Sequence, residues 1–178
     1  PEIGAFLAEP IRNTDVQIPS SFFWKQLRAL CDRFGIVLIF DEIPLAFGRT
    51  GKLFAHEHFE ITPDLLCLGK GMGGGVIPQA AVIGRERFNQ FAHLSMGHYT
   101  FEKHPLGARA ALSVLSIIQE EMLLEKVASD GEFMRTELAA MQAKHQGIGD
   151  IRGIGLLWAI ELVCDREQKI RDAERAER

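Results

Sequence analysis

Two short apolar runs, each stopped by ionisable residues, constrain the fold of this chain more than anything else in it. Ile36-Val37-Leu38-Ile39-Phe40 is continuous, rich in β-branched residues and followed by Asp41-Glu42; Leu65-Leu66-Cys67-Leu68 is followed by Gly69-Lys70-Gly71 and then Gly73-Gly74-Gly75. Runs this short cannot make a buried helix, and they lack the alternation of a strand with one wet face. They fit parallel strands covered on both sides.

The flanking segments agree. Ile3 to Ala8 reads as a further strand, stopped by Glu9-Pro10. Phe23, Leu27, Leu30 and Cys31 recur at helical spacing over 22–34, with Ser20 or Ser21 placed to cap the helix and Gly35 to end it. Residues 42–60 carry Pro44, Gly48 and Gly51 and read as a long loop with one helical turn near Phe54 to His58. Ala80 to Ile83 predicts a strand and 85–92 a short helix. A helix over 105–120 has Leu106, Ala110, Leu112, Leu115 and Ile118 along one side, and a second, over 121 to about 144, has Leu123, Val127, Met134, Leu138 and Met141. Leu156 to Leu162 predicts a last strand. The expected fold class is therefore α/β, a mostly parallel sheet flanked by helices over residues 1–120. A linker helix and an incomplete, smaller α+β unit follow over residues 121–178. In such sheets ligands gather outside the carboxyl ends of the strands, where Asp41 and Lys70 both fall.

Composition excludes several classes. A net charge of -4 argues against a nucleic-acid surface, no apolar run nears the roughly 20 residues of a membrane helix, and no signal peptide is evident. Six scattered histidines show no metal-ligand spacing, so no metal is expected. Three well-separated cysteines fit a reducing, cytoplasmic compartment. The chain opens on Pro1 within an apolar segment and closes on the charged run 166–178, so it is expected to be a piece of a longer protein.

The chemistry rests on three residues. A carboxylate at a buried strand end, Asp41, serves as an ion-pair partner or cap, or as the partner of a protonated ring nitrogen. Lys70, between an apolar run and glycines, leaves little room for solvation. It reads either as a lysine snorkelling from a loop or as an amine freed to act as a nucleophile and base. The P-loop pattern that would make the glycines a nucleotide cradle is absent. Thr100, after Gly97-His98-Tyr99, is an ordinary turn threonine or a hydroxyl donor to phosphate. An acid for a ring nitrogen, an amine for an aldehyde and a donor for a phosphate are what pyridoxal phosphate requires.

Glu9-Pro10, Phe40-Asp41-Glu42-Ile43, the segment Phe47 to Ala55, Pro63-Asp64, Leu68-Gly69-Lys70-Gly71 and Arg152-Gly153-Ile154-Gly155-Leu156 together resemble class III, fold-type I pyridoxal-phosphate-dependent aminotransferases over roughly residues 1–165. The resemblance implies that Asp41 pairs with the pyridine nitrogen and that Ile43 packs on one face of the ring. It implies that Lys70 is the Schiff-base lysine and moves the substrate proton, and that Thr100 reaches the phosphate of a neighbouring subunit's cofactor. A homodimer with shared active sites, acting on a small-molecule amine and a keto acid, follows. The phosphate loop and ring-stacking aromatic of the family lie upstream of Pro1, so this chain alone is expected to bind cofactor weakly and not to turn over.

Departures from the family pattern stand at Pro44, where glutamine is usual, and at Leu45-Ala46, where Thr-Gly is usual. Arg12 to Asp15 replaces a Gly-Glu pair, and Glu102-Lys103-His104 replaces Gly-Gly-Asn. They are similar to a side branch containing ammonia-lyases that act on aminophosphonates, whose anionic group Lys103 and His104 would suit. The alternatives are thus a pyridoxal-phosphate-dependent ammonia-lyase on the same fold, or an inactive truncated subunit.

Overall fold

The structure, a computed structural model, describes residues 2–91, 93–94 and 99–176. Four strands, β1 (Ala5–Ala8), β2 (Val37–Asp41), β3 (Leu65–Leu68) and β4 (Ala81–Gly84), form one sheet in that order. β1, β2 and β3 are parallel neighbours and β4 is antiparallel to β3, so the sheet is mostly parallel. A second sheet holds β5 (Ile148–Ile154), β6 (Leu157–Asp165) and β7 (Ile170–Arg171). The helices are α1 (Ser21–Phe34), α2 (Pro105–Glu120), α3 (Leu123–Lys144) and α4 (Ala173–Ala176), with short 3-10 turns at Ala55–Phe59, Lys70–Gly73 and Glu86–Phe91. The segment predicted as a helix over 85–92 is the last of these turns, and its final residue lies outside the described residues.

α1 forms where expected. Ser20 accepts from the Phe23 amide at 3.2 Å, and Gly35 closes the helix at φ 69. Its buried stripe, however, is Trp24 and Cys31 with Leu27 beside them, while Phe23 and Leu30 are exposed. The Trp24 indole lies edge-on to Phe40 at 4.9 Å and donates to the Pro10 carbonyl at 3.1 Å, which satisfies its only polar atom. α2 likewise turns Gly107, Ala111 and Ile118 inward, not Leu106, Leu112 and Leu115. In the first turn the reason is steric: a Cβ on Gly107 would overlap the Gln79 side chain, so α2 approaches there through a residue without a side chain. In α3, Leu138 is buried as expected and Met141 is exposed.

The first sheet is flanked by helices as expected, and its two faces are covered unequally. Leu38, Phe40, Leu66 and Leu68 are buried against the α1 side, whereas Ile39, Asp41, Leu65 and Cys67 on the opposite face are half-exposed. β5 was not foreseen because Gly149 and Gly153 interrupt its apolar pattern. The structure uses those glycines for close approach, since a Cβ at Gly153 would overlap the Trp158 ring at 2.2 Å.

Asp64, fully buried just before β3, ties the layers together. Its carboxylate accepts from the Leu38 amide at 2.8 Å, Arg28 at 2.9 Å and Arg87 at 2.6 Å. Burial pushes its pKa up, but the Leu38 amide and Arg28 outweigh that, and the carboxyl titrates below its ordinary value. A depressed folded pKa means stability present above the ordinary carboxylate range and lost as pH falls through the folded value. Asp64→Ala is expected to remove about 3–5 kcal/mol by leaving the guanidinium of Arg28 without its buried partner. Urea unfolding at pH 7 measures this, and the difference from the parent protein should shrink in acid.

Candidate active site

Asp41 and Lys70 lie at the carboxyl ends of two neighbouring strands of the first sheet, Asp41 closing β2 and Lys70 two residues past β3. β2 and β3 run parallel with Asp41 in register with Cys67, and the Glu42 amide continues the ladder by donating to the Cys67 carbonyl at 3.0 Å. Lys70 follows three residues after Cys67, at most roughly 10 Å of extended chain. Asp41 Oδ1 accepts from the Ile43 amide at 2.9 Å, folding the chain back so that the Ile43 side chain meets Gly69: a Cβ there would lie 3.3 Å from Ile43 Cγ2. Ile43 thus contacts the residue before Lys70 and lines a cavity with Lys70, and Asp41 fixes the turn that places it. Asp41's second oxygen has no hydrogen bond among the described residues. Its charge is felt locally, because the Cys67 thiol is pushed up first by burial and then by Asp41.

Lys70 is exposed, contrary to the expected burial. It starts the 3-10 turn Lys70–Gly73 at φ 43, which swings the side chain off the end of β3 instead of into the sheet. A non-glycine residue at such a φ is strained, and strain of this kind concentrates at functional positions. Among the described residues its ammonium has neither ion pair nor hydrogen bond. Lys70 lines two adjoining cavities. One, of about 420 Å³, is bounded by Ile43, Pro44, Phe47, Gly71 and Val114. The other, of about 970 Å³, is bounded by Gln79, Tyr99, Thr100, Glu102 and Lys103. Thr100 lines the same cavity as Lys70, and the residue is exposed. His104 does not reach that cavity: it precedes α2 and stands edge-on to Phe101 at 6.0 Å. Gly97 and His98 lie outside the described residues.

Glu42 is a part of the site whose role sequence reasoning missed. It is fully buried and accepts from the amides of Ala55 at 2.6 Å and His56 at 2.8 Å and from His56 Nδ1 at 2.8 Å. These bonds clasp the two ends of the loop that carries Ile43, Pro44 and Phe47. The signal was available: along β2 alternate residues share a face, so Glu42 follows Phe40 into the core while Asp41 faces the open side, and a buried carboxylate must find donors.

The chain matches the class III aminotransferase family over residues 1–177, and it belongs to that family. It is 51% identical over 175 residues to the (R)-1-hydroxy-2-aminoethylphosphonate ammonia-lyase of Vibrio splendidus, a match covering 98% of this chain and 36% of that protein. It is 42% identical over 163 residues to the 5-aminovalerate aminotransferase of Pseudomonas aeruginosa, covering 90% of this chain and 38% of the relative. The crystal structure of taurine:2-oxoglutarate aminotransferase from Bifidobacterium kashiwanohense, solved with PLP and glutamate, superposes with a TM-score of 0.89 at 30% identity over 94% of this chain and 38% of that one. The chain spans about 36–40% of the length of such curated relatives.

Proposed function

We propose that this chain carries the lysine half of a pyridoxal-phosphate-dependent aminotransferase site, which moves an amino group from an amine or amino acid to a keto acid. The observation that supports this is the placement of Asp41 and Lys70 at the carboxyl ends of two paired parallel strands, with Ile43 bound to Asp41 and lining a cavity with Lys70. Asp41 would hold the cofactor's ring nitrogen, Ile43 one face of the ring and Lys70 the aldehyde carbon, while Thr100 would reach the phosphate of the neighbouring subunit's cofactor. Bound there, the cofactor supplies an electron sink for charge developing on the carbon that bears the amine. Asp41, ionised, keeps a proton on the ring nitrogen. Lys70, as base, takes the proton from the amine-bearing carbon and returns it.

The exposure of Lys70, the half-open sheet face and the exposed Thr100 are consistent with a site completed by further protein, and we extend the proposal to a homodimer with shared sites. Residues 1–120 then belong to a cofactor-binding domain and 121–178 to a linker helix and a small domain. No helix among the described residues is long and apolar enough to cross a membrane. A cytoplasmic setting is proposed on the three free cysteines.

A second reading, an ammonia-lyase on the same scaffold, is favoured by the 51% identity to such an enzyme and by Pro44. That proline lines the Lys70 cavity where an amide side chain would offer a donor to the ring. Incubation of the whole protein with amine and no keto acid separates the two. An aminotransferase stops after one equivalent, whereas a lyase releases ammonia over many turnovers. Absence of any reaction with amines, with or without keto acid, would overturn both.

A further inference from the structure

We propose that Leu156 is a specificity-determining residue, its side chain forming a fixed apolar wall that limits how long a hydrocarbon chain the amine substrate can carry. The inference deepens the reading of Lys70 as the amine-handling lysine and rests on it.

Leu156 stands in the tight turn between β5 and β6, far from Lys70 in sequence. Backbone contacts seat that turn from two sides. Gly155 adopts φ 57, and a Cβ there would stand 2.5 Å from the Thr50 carbonyl carbon. On the other side, a Cβ on Gly131 of α3 would stand 2.8 Å from the Gly155 Cα. Only residues without a side chain let three backbones come so close. Hydrogen bonds hold the result: the Leu156 amide donates to the Arg49 carbonyl at 3.1 Å, and the Trp158 indole donates to the Gly155 carbonyl at 2.7 Å. Thr50 is itself buried, with His58 Nε2 3.0 Å from its hydroxyl. Leu156 therefore cannot shift without breaking several contacts at once.

The turn so fixed brings the Leu156 side chain, 41% exposed, to the wall of the 420 Å³ cavity that Lys70 lines. Phe47, Val114, Leu123 and Val127 share that wall, and among the described residues lining the cavity only Lys70 and Arg49 have polar side chains. Ile43 lines it too, which joins the space beside Leu156 to the proposed ring position. Phe47 belongs to the loop clasped by Glu42, so two walls of the cavity are held by backbone bonds. An apolar space whose walls cannot yield selects by size: it favours a chain that fills it and rejects one that would overfill it.

The test is titration of the whole, cofactor-loaded protein with propylamine, hexylamine and 2-phenylethylamine, following the visible absorbance. Parent protein, Leu156→Ala, Leu156→Phe and Leu156→Met are compared. Leu156→Ala is expected to raise the preference for hexylamine over propylamine about tenfold, the scale on which an apolar pocket reads a methylene group. Leu156→Phe should lower it by a similar factor. Leu156→Met, close to leucine in volume, should keep the parent preference. The preference for 2-phenylethylamine should follow that for hexylamine in each variant. Should Leu156→Ala fail to fold, the comparison of Leu156→Phe with Leu156→Met decides. A preference that stays unchanged in Leu156→Ala and Leu156→Phe, or moves the same way in both, overturns the proposal. A uniform loss of affinity for every amine, with the ratios unchanged, assigns Leu156 to packing and also overturns it, while leaving the Lys70 reading intact. No absorbance response to any amine, in the parent protein, defeats the Lys70 reading and this proposal together.

Discussion

Lys70→Ala is expected to abolish turnover in the whole protein, by at least roughly 10³-fold, together with the visible band that depends on a covalent link between this lysine and the cofactor. The size follows from the two tasks falling on one amine, attachment and proton transfer, with no second lysine among the described residues at the ends of β2 and β3. Stability should stay within about 0.5 kcal/mol, because Lys70 is exposed and has no hydrogen bond or ion pair among the described residues. A variant with normal melting and no activity separates chemistry from folding. A variant that keeps both band and turnover would remove Lys70 from the mechanism.

Asp41→Asn comes next, with proton abstraction slowed by roughly two to four orders of magnitude. The amide keeps the shape and can still accept from the Ile43 amide through its oxygen, the bond that shapes the turn at 2.9 Å. Only the charge that holds a proton on the ring nitrogen is lost. A second readout needs no cofactor. Because burial first and Asp41 second raise the Cys67 thiol, removing the charge should lower that thiol's pKa, measured from the pH dependence of its alkylation. Unchanged proton-transfer rates would make Asp41 a purely structural carboxylate.

The chain announces β2, β3 and the positions of Asp41 and Lys70 plainly, because continuous apolar runs ended by charge have few other uses. It conceals what depends on partners distant in sequence. Spacing alone suggests that Phe23 and Leu30 are the buried side of α1. Trp24 wins because it reaches both Phe40 and a carbonyl near Pro10. Glycines within β5 erase its pattern, since their purpose is to admit Trp158 and Val163. The expected burial of Lys70 fails because the backbone turns at the residue itself, a conformation that nothing in the neighbouring residue types foretells.

The clasp made by Glu42 divides the Lys70 surroundings into a stiff jaw and an adaptable one. The jaw bearing Ile43, Pro44 and Phe47 is bolted at both ends by a carboxylate with no exposed surface, so any change there disturbs the ring-facing parts as a unit. Residues 99–103, on the other cavity that Lys70 lines, are exposed and can be exchanged singly. Substitutions among residues 99–103 are therefore expected to disturb the rest of the structure less than substitutions in the clasped loop.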